Sequence, residues 1–111
     1  MNLEYEQKDG VTVVRLSGRL DAAGAGEIRN QLQELADNND SLILLNFHGV
    51  DFIDSTGLGL VVSIYRRVRE HGRDLVVCSL TPQARTLFEL TRMHRILDIH
   101  ETEELALEAC R

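Results

Sequence analysis

The sequence predicts an α/β fold built on a small mixed sheet, in the order β-β-α-β-α-β-α-β-α. Three observations lead there. An alternating stretch, residues 3–7, and a β-branched one, residues 11–16, flank Asp9-Gly10, the pattern of a β-hairpin. Leu42-Ile43-Leu44-Leu45-Asn46-Phe47 is nearly continuous in apolar side chains, which suits a strand covered on both faces. Beyond the hairpin, strand-like and helix-like stretches alternate, so βαβ crossovers and parallel pairing are expected beside the antiparallel hairpin.

Taken in order, the hairpin ends at Gly18, and Leu20-Asp21-Ala22-Ala23-Gly24 leads into the first helix. Ile28, Leu32, Leu35 and Ala36 form its apolar stripe, with Glu27, Arg29, Gln33 and Glu34 outside. Asp37-Asn38-Asn39-Asp40 is a polar break before the central strand, residues 42–47. A helix pattern then runs from about Leu58 to His71, where Gly72 suits a left-handed stop. Leu75-Val76-Val77-Cys78 reads as a buried strand. Thr81-Pro82 opens a helix with a capping hydroxyl and proline at the first helical position, its inner face formed by Ala84, Leu87, Phe88 and Leu90. Ile96-Leu97-Asp98-Ile99 is a short last strand, and Thr102-Glu103-Glu104-Leu105 starts a final helix packing Leu105 and Ala109 inward.

The chain of 111 residues is expected to form one domain, residues 1–111, with a core large enough to need neither disulfides nor metal. A formal charge of −6 argues against a general affinity for nucleic acid or anionic membrane. No signal peptide and no membrane-spanning run is read from the sequence. Cys78 and Cys110 make no disulfide framework and are read as free thiols in a reducing cytoplasm.

The stretch richest in information is Asp51-Phe52-Ile53-Asp54-Ser55-Thr56-Gly57-Leu58-Gly59. Asp54, Ser55 and Thr56 are residue types that cap a helix start. Gly57 and Gly59 each cost roughly 1 kcal/mol relative to alanine there, so the absent Cβ atoms are needed for packing or for a partner's approach. Ser55 is read as a hydroxyl displayed for chemistry done on it, not by it. A phosphate there adds about −1.5 to −2 charges at a position the helix dipole favours, while a partner packed flush on Ser55 would not accommodate it.

On the helix that follows, Leu58, Val61, Val62, Tyr65 and Val68 share the face expected to meet the core, and Gly59, Ser63, Arg66 and Glu70 the opposite one. Leu60 and Ile64 fall on a flank that widens the apolar arc to about 200°. Two readings of this flank stand: a neighbouring helix covers it, or it is a docking patch beside Ser55. Two readings also stand for Asp21, as a cap of the first helix or as a contact near the switch.

No catalytic constellation is visible. Asp54-Ser55-Thr56-Gly57 has neither the spacing nor the second copy of an aspartic protease motif, and no serine sits in a Gly-x-Ser-x-Gly elbow. His48, His71, His94 and His100 lack metal-ligand spacing. Gly57-x-Gly59 has neither the third glycine nor the lysine of nucleotide-binding loops. Arg66-Arg67-x-Arg69 is read as one solvated helix face able to meet an acidic partner, and Glu103-Glu104 as support for a helix start.

Leu16-Ser17-Gly18-Arg19-Leu20-Asp21, Asp51 through Gly59, and residues 75–78 with Thr81-Pro82 resemble the STAS domain, specifically the stand-alone anti-sigma factor antagonists of bacterial partner switching. The resemblance covers essentially the whole chain. It implies a sheet with helices packed largely on one face. It further implies a non-enzymatic cytoplasmic protein without cofactor or metal. Its unmodified form binds an anti-sigma factor that is also an ATP-using serine kinase, and so frees the sigma factor. A metal-requiring PP2C-type phosphatase restores that form. Carried over, Ser55 is the phosphoacceptor, Asp54 its structural neighbour and Asp21 part of the kinase-facing loop. Combined with the reading of the residues themselves, Asp54, Thr56, Gly57 and Gly59 are assigned to support of the switch loop, and Asp21, Leu60, Ser63, Ile64 and Arg67 to the partner interface. The alternative is a constitutive scaffold or subunit of a lipid-transport or stress-sensing complex, with Ser55 only a helix cap.

Overall fold

The computed structural model describes residues 1–38 and 40–110. Strand β1 (Asn2–Lys8) turns into β2 (Val11–Leu20), followed by α1 (Ala22–Asn38), β3 (Leu42–Ile53), α2 (Ser55–Glu70), β4 (Leu75–Cys78) and α3 (Pro82–Leu90). A 3-10 turn (Met93–Arg95) leads to β5 (Asp98–His100) and α4 (Glu103–Ala109). Apart from the 3-10 turn, this is the expected order. The predicted polar break at 37–40 includes Asn39, which lies outside the described residues.

The strands form one sheet in the order β1-β2-β3-β4-β5, with β1 antiparallel to β2 and the other pairs parallel. Lys8 pairs with Val11, so the hairpin turn is Asp9-Gly10, and both residues have positive φ, 54° and 77°. That is the turn whose twist matches the strands it joins. At the same end of the sheet, Gly72 (φ 75°) closes α2 as expected, its N–H donating to Arg69 O at 3.0 Å.

Side chains alternate across β3, as a strand requires. Ile43, Leu45 and Phe47 join a large cluster with Val14 and Leu16 from β2, Ile28 and Leu32 from α1, Ile64 and Val68 from α2, and Ala84 and Phe88 from α3. Leu44 points to the other face, where Val11, Val13, Val76 and Cys78 pack against Ala106 and Leu107 of α4. Three helices therefore cover one face and one covers the other. Phe47 and Phe88 meet edge to face, centroids 6.1 Å apart, a favoured aromatic geometry that seats α3 on β3. Cys78 and Cys110 are free, and burial pushes both thiols up from their ordinary value. Among the described residues, no helix is long and apolar enough to cross a membrane.

Four local expectations are corrected. The central strand runs six residues past 47, to Ile53, because β2 continues beside it as far as Leu20. The last strand starts at Asp98 rather than Ile96; Ile96 closes the 3-10 turn and is 53% exposed, and Leu90 at the end of α3 is 78% exposed. In α4, Leu105 and Ala109 face solvent while Ala106 and Leu107 are buried. The cause is Glu103, which shares a helix face with Ala106, Leu107 and Cys110 and turns that face to the sheet.

Glu103 is more than the helix-start residue expected of it. Its Oε1 accepts from Arg15 Nε at 3.0 Å and from the amide of Asn46 at 2.9 Å, and its Oε2 accepts from Arg15 Nη2 at 2.9 Å. Lys8 Nζ lies 3.5 Å away. Asn46 is held in turn by the His48 N–H, 2.8 Å from its side-chain oxygen. Led by the Arg15 hydrogen bonds, and opposed by burial, these partners depress the Glu103 carboxyl from 4.5 to about 2.

Because the folded value lies below the unfolded one, the stabilisation is complete above about pH 4.5 and disappears as pH falls toward 2. Glu103→Gln is expected to lower unfolding free energy at neutral pH by about 1–3 kcal/mol and to flatten the acid limb of stability against pH, measured by urea denaturation.

Candidate functional site

Strands β2 and β3 outrun β4, and their last paired residues are Leu20 and Ile53. Each is followed at once by an aspartate that starts a helix. Asp21 Oδ1 accepts from Gly24 N at 2.9 Å, and Asp54 Oδ1 accepts from Gly57 N at 2.9 Å. Both are N-cap bonds, in which a short carboxylate satisfies an otherwise orphaned helix N–H. The Gly24 N–H, and then Arg19, hold the Asp21 carboxyl below its ordinary value.

The two glycines perform the same task. A Cβ on Gly24 would lie 2.0 Å from Arg19 O, and one on Gly57 would lie 2.0 Å from Leu20 O. Only a residue without Cβ lets each helix start against the last carbonyls of β2. Gly59 is different: it is exposed, and a Cβ there would meet nothing within 4 Å. Of the two reasons offered for glycine in this stretch, packing accounts for Gly57 and not for Gly59.

Ser55 is the first residue of α2, and both it and Thr56 are exposed. The cap is Asp54, in extended conformation (φ −112°, ψ −174°), one of the three residue types here able to cap; Ser55 as the cap belonged only to the alternative, scaffold reading. The Ser55 hydroxyl makes no hydrogen bond with any other described residue. Gly59 and Ser63, one and two turns on, are exposed on the side predicted to face away from the core.

Leu60 and Ile64 are 3% and 0% exposed, packed into the cluster that contains Ile28 and Leu32 of α1. Of the two readings of that flank, the covering helix is the observed one, and neither residue forms a surface patch. The reason is positional: β2 and β3 are adjacent, so the helices that follow them lie side by side. Arg67 is likewise tied to α1, its Nε 2.8 Å from Asp37 Oδ1, with His71 Nε2 3.4 Å from the same oxygen. Asp21 serves as a cap and also abuts the site, since the Asp54 N–H points to Leu20 O at 3.4 Å. Asp21, Asp54, Ser55, Thr56 and Gly57 are thus brought together, while Ser63 and Arg67 lie further along α2.

Sequence reasoning missed three contributors. Gln83, on the first turn of α3, accepts from Ile53 N at 3.0 Å and donates to Ile53 O at 2.7 Å. It stands in for the strand neighbour that β3 lacks once β4 has ended. Arg19 lies over the Phe52 ring at 4.3 Å and reaches Asp21 at 3.5 Å, joining the two strand ends across their shared register. Gly24 was legible: Asp21-x-x-Gly24 and Asp54-x-x-Gly57 repeat one spacing after successive strands.

An exposed hydroxyl on a helix start, beside capped strand ends, is the feature that this small α/β domain displays at the end of its two longest strands. The chain belongs to the STAS domain family, whose model matches residues 2–106. It is 31% identical over 108 residues to the anti-sigma F factor antagonist of Paenibacillus polymyxa, covering 96% of this chain and 92% of that protein. The fold is similar to that of an anti-sigma factor antagonist from Mycobacterium paratuberculosis, with a TM-score of 0.91 at 24% identity over 99% of this chain and 93% of the other. It is also similar to the Bacillus cell fate determinant SpoIIAA in its phosphorylated form, with a TM-score of 0.76 and 25% identity over 99% and 100% of the two chains.

The two glycines predict opposite responses. Gly57→Ala is expected to cost about 2–3 kcal/mol, because a backbone carbonyl must move to admit the methyl group. Gly59→Ala is expected to raise stability by up to about 1 kcal/mol. Urea denaturation of the two variants checks both signs.

Proposed function

We propose that this chain is a phosphorylation-controlled anti-sigma factor antagonist. In this reading the form with a free Ser55 hydroxyl binds an anti-sigma factor that is also a serine kinase, and so releases the sigma factor. Phosphorylation of Ser55 by that kinase ends the binding, and a PP2C-type phosphatase restores it. The chain itself performs no catalysis and acts in the cytoplasm.

The observation that carries the reading is the division of labour at the start of α2: Asp54 does the capping, which leaves the exposed Ser55 hydroxyl without a part in the fold. A phosphate there gains from the helix N-terminus and is opposed by the neighbouring Asp54 carboxylate. The fold tolerates the modification, and a partner packed on the same surface does not, because it would have to desolvate the phosphate. The open space at Gly59 supports close approach by that partner. The names of the relatives support the anti-sigma factor as the partner class, and the phosphorylated form described for SpoIIAA supports the chemistry. A purely constitutive scaffold gains no support from the geometry, since that reading made Ser55 the cap.

Incubated with ATP and the cognate anti-sigma factor kinase, the wild-type chain is expected to gain the mass of one phosphate and Ser55→Ala none; equal labelling of both would remove Ser55 from the scheme. Ser55→Glu is expected to melt within a few degrees of wild type yet bind the kinase at least tenfold more weakly, a loss of about 1.4 kcal/mol or more. Calorimetric titration and a thermal melt measure the two quantities.

A further inference from the structure

Tyr5 aside, the large exposed apolar side chains are Leu90 (78%), Ile96 (53%) and Leu105 (48%), all within one short span around β5, one of the two edge strands of the sheet. Next to Leu90 and Ile96 in the chain stand the exposed arginines Arg92 and Arg95, neither of which has an ion-pair partner among the described residues; Arg85 lies on another side of α3, in a groove it shares with Glu89 and Asp98. A shallow groove lined by Gln83, Thr86, Leu87 and Leu90 continues this patch along α3. Around Leu105 stand Glu101, Glu104 and Glu108, exposed and equally without cationic partners among the described residues. Glu104, Leu105 and Glu108 fall within one helical arc. The first patch is apolar and carries two arginines against the single exposed carboxylate of Glu89, a net positive charge; the other is apolar and acidic.

Arg92 adds a second observation. It sits at φ 61°, ψ 18°, the left-handed conformation that normally ends a helix with glycine. The chain keeps an arginine where glycine would be less strained.

We propose that these patches are the two halves of one interface between copies of this chain, the arginine patch at the end of α3 of each protomer meeting the glutamate face of the other's α4. The occupant follows from charge complementarity: the chain itself displays the acidic amphipathic helix that its basic patch fits. The two patches lie on opposite faces of the sheet, since α3 packs in the large cluster and α4 in the small one. A two-fold axis in the plane of the sheet along the β5 edge exchanges those faces. Both contacts then form together, and the assembly closes as a dimer rather than growing into a filament. Ser55 and the outer side of α2 take no part.

Sedimentation equilibrium of the intact chain, without any partner, tests this. A concentration-dependent dimer is expected, dissociating as salt is raised. Leu90→Asp and the pair Arg92→Glu with Arg95→Glu should each weaken it at least tenfold, with thermal melts showing that the variants remain folded. Adding Glu104→Arg and Glu108→Arg to the doubly reversed chain should restore association. Arg92→Gly separates structure from binding: it should raise the melting temperature while weakening the dimer. A chain that stays monomeric at every concentration overturns the proposal, even if its patch then binds anionic vesicles or an acidic peptide. So does a dimer indifferent to both charge reversals, or open-ended growth.

Discussion

The contact on which the site depends is that of Gly57 with the carbonyl of Leu20. A Cβ at that point would lie 2.0 Å from the oxygen, so helix α2 can start where it does only because the side chain is missing. The same close approach brings the Asp54 N–H to Leu20 O and leaves the Asp54 carboxylate free to cap Gly57. Once those partners are engaged, the chain direction at residue 55 is determined, and the Ser55 side chain is directed outward with no structural duty. Glycine ordinarily weakens a helix, by about 1 kcal/mol relative to alanine. Here that cost is incurred for position.

The scaffold behind this contact is stiff for reasons that lie elsewhere. Strand β3 is central, covered along its length by the large cluster on one face and over its first half by α4 on the other. Past the end of β4 its backbone would lack partners on one side, and buried backbone groups need them. Gln83 supplies both bonds at Ile53, the residue before the cap. Packing of Phe88 on Phe47 places α3 so that Gln83 reaches. The start of α2, with Ser55, thus rests on a strand held by side chains from a different helix. On the opposite face the Glu103–Arg15 pair performs the comparable task for α4, turning one face of a short helix toward the sheet.

Much of this was legible in the chain. The Asp9-Gly10 turn, the apolar run at 42–47, the Gly72 stop and the Thr81-Pro82 start mark elements through local backbone chemistry, which needs no tertiary context. The outward side of α2, with Gly59 and Ser63, also follows from helical periodicity. The capping role of Asp54 was only one of three candidates, because aspartate, serine and threonine cap with similar strength. Choosing among them required the path of the chain out of β3.

What the sequence determined by itself is the order of elements and the identity of the Asp54-Ser55-Thr56-Gly57 start, since these depend on residue types a few positions apart. What the tertiary structure alone decided is which apolar flank is covered and which polar group is engaged. Leu60 and Ile64 are buried because α1 lies beside α2, a consequence of β2 and β3 pairing over a long sequence separation. Arg67 is bound by Asp37 and Glu103 by Arg15, partners 30 and 88 residues away. Hydrophobic periodicity tells how wide an apolar arc is; only the neighbour's position tells how much of it meets water.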